Sequence, residues 1–120
     1  MSDKITVYEK PTCTTCRNLS ELFRANGIEY ERVDYFIDAL TEEKLRALLK
    51  KASLAPFDVL RTREPLAKEL NLTAETAPDE IIRAIVENPS LLQRPIVEIG
   101  NRAVLARPVE RALDLIKSAK

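Results

Sequence analysis

The spacing of apolar positions changes several times along the chain, and each change marks an element. Lys4 to Glu9 carries Ile5, Val7 and Tyr8 in one short run and predicts a buried strand. From Cys13 onward the spacing turns helical, with Cys16, Leu19, Leu22 and Phe23 on one face. Thr12 is the expected N-cap of that helix and Gly27 its left-handed stop. Ile28 to Tyr35 is rich in Ile, Tyr and Val, is too short for a second helix, and predicts a strand. Strand, helix and strand within about 30 residues make a right-handed βαβ unit with two parallel strands.

The middle of the chain reads as helical. Thr41 caps a segment with Leu45, Leu48 and Leu49 on one face. Pro56 breaks the chain before a short turn or helix over Phe57 to Leu60. Pro65 opens a helix with Leu66 and Leu70 that stops near Asn71. Pro78 takes the first position of another, which carries Ile81, Ile82, Ile85 and Val86 and ends at Asn88-Pro89. Leu91 and Leu92 pack as a short turn. The pattern then returns to strands: Pro95 to Ile99 and Arg102 to Ala106 flank Gly100-Asn101 as a β-hairpin. Pro108 opens a last helix lined by Val109, Ala112, Leu113 and Ile116.

The element order is βαβ, a helical block, then ββα. This is an α/β arrangement of the thioredoxin-like kind, with a mixed four-stranded sheet. The expected organisation is a single domain over 1–120, with a core of about 1–40 and 94–120 and a helical insertion of about 41–93. No internal repeat, linker or low-complexity segment interrupts it.

Composition narrows the function. With 120 residues the chain has room for one core, not two. Its 19 basic and 19 acidic side chains cancel, which gives no support for general or direct nucleic-acid binding. Only 2 glycines argue against a Gly-rich nucleotide loop. No signal-peptide core and no apolar run near ~20 residues is visible, so a cytoplasmic protein without membrane partners is expected. Without a long apolar surface pattern beyond the core, the default is a monomer.

Histidine is absent, so the usual four-ligand zinc site and the Ser-His-Asp and Cys-His arrangements are all excluded within this chain. The 2 cysteines, Cys13 and Cys16, stand two residues apart at a strand-to-helix junction. In a reducing compartment such a pair reads as redox chemistry rather than a staple. Helix N-termini and nearby cations lower a thiol's pKa to ~3.5–7.5. Cys13 is expected at such a terminus, with Lys10 before it and Arg17 one turn on. The free N–H groups of Thr14, Thr15 and Cys16 form an anion pocket beside it. Cysteine is also a common buried apolar residue. Cys16, on the apolar helix face, fits that description in part; Cys13, flanked by Pro11 and Thr12, does not.

Three arginines join the list of candidates. Arg61, Arg94 and Arg107 each stand at an element edge beside apolar residues. Arg94 precedes Pro95, and in thioredoxin-like folds a proline at the start of the third strand is often cis and faces the reactive cysteine. Several guanidiniums near one thiolate would grip a tetrahedral oxyanion bidentately. A phosphatase loop does not fit, because the sixth residue after Cys13 is Leu19 and after Cys16 is Leu22.

Tyr8 through Asn18 (YEKPTCTTCRN), Leu60-Arg61 with Glu64-Pro65, Asn88-Pro89 through Ile96 (NPSLLQRPI) and Ala106-Arg107-Pro108 extend the pattern over almost the whole chain. In these residues the chain resembles the thioredoxin-fold ArsC arsenate reductases of the glutaredoxin-dependent type, and the related Spx regulators. The resemblance implies that Cys13 attacks arsenate while Arg61, Arg94 and Arg107 bind the oxyanion. A thiol then attacks the Cys13–arsenic adduct, arsenite leaves, and a disulfide remains. Glutathione, glutaredoxin or thioredoxin reduces it; no bound cofactor is implied.

The chain departs from that family pattern in two places. The family's well-known enzymes have serine at the position of Cys16 and a histidine-asparagine pair at Glu9-Lys10. The first departure implies that an internal Cys13–Cys16 disulfide could replace glutathione in resolving the adduct. It equally resembles the CxxC switch of Spx regulators, which bind RNA polymerase. Arg107-Pro108 matches the reductases, whereas Arg63 after Thr62 matches the regulators. A glutathione-linked disulfide reductase without oxyanion specificity is the third alternative.

Overall fold

The computed structural model of the chain describes residues 4–10 and 12–118. Pro11, the N-terminal flank of the thiol motif, lies outside the described residues, as do 1–3 and 119–120. The strands are β1 (Ile5–Glu9), β2 (Glu31–Asp34), β3 (Ile96–Ile99) and β4 (Arg102–Leu105). The helices are α1 (Thr14–Ala25), α2 (Glu42–Ala52), α3 (Pro65–Glu69), α4 (Pro78–Glu87) and α5 (Glu110–Ser118). Short 3-10 turns cover Pro56–Val59 and Pro89–Leu91. The sheet order is β2-β1-β3-β4. β1 and β2 run parallel, with Val7 opposite Arg32 and Glu9 opposite Asp34. The β1–β3 and β3–β4 pairs are antiparallel. The mixed four-stranded thioredoxin-like sheet is thus as expected.

Strand alternation splits the core between the two faces of the sheet. Val7, Val97 and Ile99 pack with Leu19 and Phe23 of α1 and with Ala112 and Leu115 of α5. Tyr8, Ile96 and Ala103 face the other way, onto Leu45, Leu48, Ile81 and Ile85 of the helical block. Each fully buried Leu or Phe of this kind stabilises the fold by roughly 1.5–3 kcal/mol. One polar cluster crosses the second face. Glu98 of β3 accepts the Tyr8 hydroxyl at 2.7 Å and Lys44 Nζ at 3.2 Å, and it pairs with Lys51 Nζ. That carboxylate fastens α2 to the sheet.

Helix ends follow local chemistry. Thr41 Oγ1 accepts the Lys44 N–H at 3.0 Å, and Glu42–Glu43 and Lys50–Lys51 complement the dipole of α2. Pro65 and Pro78 open α3 and α4 as predicted. Gly27, at φ 65, turns the chain out of α1.

The structure corrects four boundaries. The N-cap of α1 is Cys13, not Thr12: Cys13 has the extended backbone (φ −77, ψ 128) and its carbonyl accepts the Arg17 N–H. β2 is shorter than the predicted 28–35, because Ile28 and Tyr30 pack under α1 and Tyr35 turns out of the sheet into the opposite core. Pro56 begins the 3-10 turn rather than ending what precedes it. α5 starts at Glu110, while Pro108 stays outside and lends its carbonyl to the Arg111 N–H.

Candidate active site

Cys13 lies past the C-terminal end of β1, where the chain turns into α1. Its N–H donates to the Lys10 carbonyl at 2.9 Å, a tight loop that presents the side chain at the helix start. The neutral thiol makes no capping hydrogen bond; the anion is what this position suits. Burial alone would push its pKa up. The Cys16 N–H, the Cys16 thiol, the Thr15 N–H and the Arg94 guanidinium together outweigh burial and hold it below the ordinary thiol value. Cys16, buried on the inner face of α1, goes the opposite way. Burial, the negative charge of Cys13 and that of Glu9 push it up to about 12, against a backbone hydrogen bond from Lys10. The pair is therefore divided: Cys13 is the more acidic thiol, and Cys16 is held toward its protonated form beside it.

Among cations, Arg94 acts most strongly on Cys13. Its side chain is buried, at 7% exposure. Nη1 donates to the Leu92 carbonyl at 3.2 Å and to the Tyr35 hydroxyl at 3.5 Å. Nε is buried with no partner among the described residues. An unpartnered buried donor costs ~1–3 kcal/mol, and the guanidinium that carries it also acts on Cys13; a bound oxyanion would satisfy it. The Arg94–Pro95 bond is cis, as the fold predicts, and so is Arg107–Pro108.

The other two arginines fare differently. Arg107 donates from Nη1 to the Arg94 carbonyl at 2.9 Å, which brings two of the three together. Arg61 joins the same region through its backbone: its N–H donates to the Leu91 carbonyl at 2.7 Å, next to the Leu60–Leu92 bridge. Among the described residues, no hydrogen bond or ion pair links the Arg61 guanidinium to Cys13 or Arg94. Lys10 Nζ sits 4.6 Å above the Phe36 ring. Arg17 contributes through its backbone, with its side chain in solvent.

Tyr35 and Phe36 are site residues that the sequence reading missed. Tyr35 is buried, donates its hydroxyl to the Leu92 carbonyl at 3.3 Å and receives Arg94. Burial, only partly offset by Arg94, pushes its pKa up to about 12, so it remains a neutral donor. Phe36 stacks on the Arg94 guanidinium at 5.6 Å. The available signal was two aromatics in succession at a strand end, one more than a closing strand needs. Among the described residues, no cluster of His, Cys, Asp and Glu could hold a metal ion, and no helix is long and apolar enough to cross a membrane.

The ArsC family model matches residues 8–115, which include Cys13, Arg61, Arg94 and Arg107. The chain belongs to the ArsC family. It is 40% identical over 113 residues to the arsenate reductase ArsI2 of Synechocystis sp., covering 93% of this chain and 81% of that one. It is also 30% identical over 118 residues to the regulatory protein MgsR of Bacillus subtilis, covering 98% and 94%. Among solved structures, an arsenate reductase from Vibrio cholerae superposes with a TM-score of 0.88 at 29% identity, covering 95% of this chain and 98% of that one. ArsC relatives thus carry both reductase and regulator names.

Proposed function

We propose that the protein is a thiol-dependent arsenate reductase. Cys13 is the nucleophile, Cys16 the resolving thiol, and Arg61, Arg94 and Arg107 bind the oxyanion. The observation that carries this reading is the buried Arg94 guanidinium beside the acidified Cys13, with one N–H unpartnered. Cys13 thiolate displaces an oxygen from arsenate, and the first-turn N–H groups and Arg94 balance the charge on the adduct. Cys16 then attacks Cys13, arsenite leaves, and glutathione with glutaredoxin, or thioredoxin, reduces the disulfide in the cytoplasm.

The test is arsenite release by the purified protein with each donor. Turnover that disappears in Cys13→Ser is expected; no arsenite with any donor would overturn the reading. A second reading, a redox-sensing regulator of RNA polymerase, draws on the near full-length similarity to the regulatory protein MgsR. Capture of the purified polymerase α subunit, dependent on the Cys13–Cys16 redox state and without arsenite release, would establish it instead.

A further inference from the structure

Glu9 is a carboxylate for which oxyanion binding has no use, yet it is only 3% exposed. It ends β1 on the same sheet face as Val7, which packs against Leu19 of α1. Cys16 precedes Leu19 by one turn on the buried side of that helix. Moving from Val7 to Glu9 advances ~6.6 Å along the strand. Moving from Leu19 back to Cys16 advances ~4.5 Å along the helix axis. Both moves run toward the active-site end, so Glu9 lies beneath Cys16.

The surroundings leave the carboxylate underused. Arg32 of β2 approaches Oε1 with Nε at 3.5 Å. The same guanidinium also bonds Ser20 Oγ at 2.6 Å and the Tyr30 hydroxyl, and it is half exposed. Asp34, opposite Glu9 on β2, adds a like charge. Among the described residues no hydrogen bond ends on the Glu9 carboxylate, so its lone pairs are free for a proton. Burial and Asp34 raise its affinity for one, against the pull of Arg32. On the helix side the Glu9 charge acts on Cys16, which it pushes up.

We propose that Glu9 accepts the Cys16 proton in the resolving step; this rests on the reductase reading above. While Cys13 is a thiolate, its charge holds Cys16 toward the protonated form. Once the Cys13 sulfur is bonded to arsenic, that charge is gone, and Glu9 is the base left facing Cys16. The proton passes from Cys16 Sγ to the Glu9 carboxylate, and the Cys16 thiolate attacks Cys13 Sγ. The S–S bond forms as the S–As bond breaks. Its electron pair stays on arsenic, which goes from As(V) to As(III), and the two sulfurs are oxidised to the disulfide. When the external thiol reduces that disulfide, Glu9 returns its proton to Cys16. The same geometry explains why a second thiol so strongly held in its protonated form can still act: it is released only after the first has reacted.

The test uses 5,5′-dithiobis(2-nitrobenzoate) in place of arsenate. Cys13 releases one chromophore and retains the other as a mixed disulfide, which Cys16 then displaces. Glu9→Gln is read against its own first release, which reports a folded site. It is expected to slow the second about 100-fold near neutral pH, at the lower end of what a positioned acid–base group contributes. Its rate should climb through the alkaline range as an unassisted thiol's does, while the wild type reaches its plateau at lower pH. Glu9→Asp should recover part of the rate. A second release with wild-type rate and pH profile in Glu9→Gln, together with none in Cys16→Ser, overturns the Glu9 role alone. A wild-type second release in Cys16→Ser overturns the resolving role of Cys16, and the Glu9 proposal with it.

Discussion

Arg107 Nη1 donates to the main-chain carbonyl of Arg94 at 2.9 Å, so two candidate oxyanion ligands on different sides of the β3–β4 hairpin form one unit. The bond fixes the carbonyl of the residue whose guanidinium stands beside Cys13. Arg94→Ala removes charge-assisted hydrogen bonds worth ~1.5–3 kcal/mol and should raise the arsenate KM about 10- to 100-fold. Arg107→Ala should have a smaller effect, and the double variant should fall well short of the product of the two, because part of Arg107's influence passes through Arg94. Steady-state arsenite release across the four proteins measures this; strictly multiplicative effects would show that the two arginines act independently.

The acidity of Cys13 should be visible directly. Its rate of alkylation by iodoacetamide, followed against pH, should show an inflection below the ~8.5 of a free thiol. In Arg94→Ala the inflection should move up, since a cation favouring the thiolate has gone. It should stay depressed in part, because the Cys16 and Thr15 N–H groups act on the sulfur independently. An inflection at the free-thiol value in the wild type would refute this account of the site.

These two predictions draw on features of unequal legibility. Cys13 at a helix start, the Gly100-Asn101 hairpin and the proline-opened helices were readable because each is a local event in which one residue's backbone preference settles the outcome. The Arg94–Pro95 juxtaposition with Cys13 was readable only through the fold. Phe36 over Arg94, Tyr35 on Leu92 and the Glu98 cluster were not, because they join residues roughly 50 or more positions apart, or depend on where a loop turns out of the sheet. Thr12 lost the cap to Cys13 for a related reason. A cap is chosen by where the extended strand hands over to the helix, and the Lys10–Cys13 turn places that point one residue later.

Glu98 should govern acid stability. Burial pushes its carboxyl up, but Lys51, Tyr8 and Lys44 outweigh burial and hold it below the usual carboxylate range. A depressed carboxyl stabilises the fold above its unfolded pKa, ~4.3, and that contribution is lost as pH falls through the folded value. Glu98→Gln should therefore lose ~1–3 kcal/mol near neutral pH. That is less than a fully buried pair, because Lys44 and Lys51 can turn to solvent. Urea unfolding at a series of pH values should show the gap between variant and wild type closing in acid. A gap independent of pH would assign the loss to packing instead.

Glu9 should behave in the opposite sense. Burial and Asp34 raise its carboxyl against the pull of Arg32. Its contribution to stability is then fully present below the unfolded carboxylate pKa and is lost as pH rises through the folded one. Above that window an ionised Glu9 sits buried with a single partially solvated cation nearby, so the folded state carries an uncompensated desolvation penalty. Glu9→Gln should accordingly be more stable than the wild type near neutral pH. Its advantage should shrink as pH falls into the carboxylate range, where the wild-type side chain also becomes neutral. Urea titrations of the two proteins at neutral and acid pH measure the difference. A stabler variant that resolves its mixed disulfide slowly is the combination expected of a charge kept for chemistry at the expense of the fold. If Glu9→Gln is instead destabilised at neutral pH, the Arg32 pair is the dominant interaction and the carboxylate is structural.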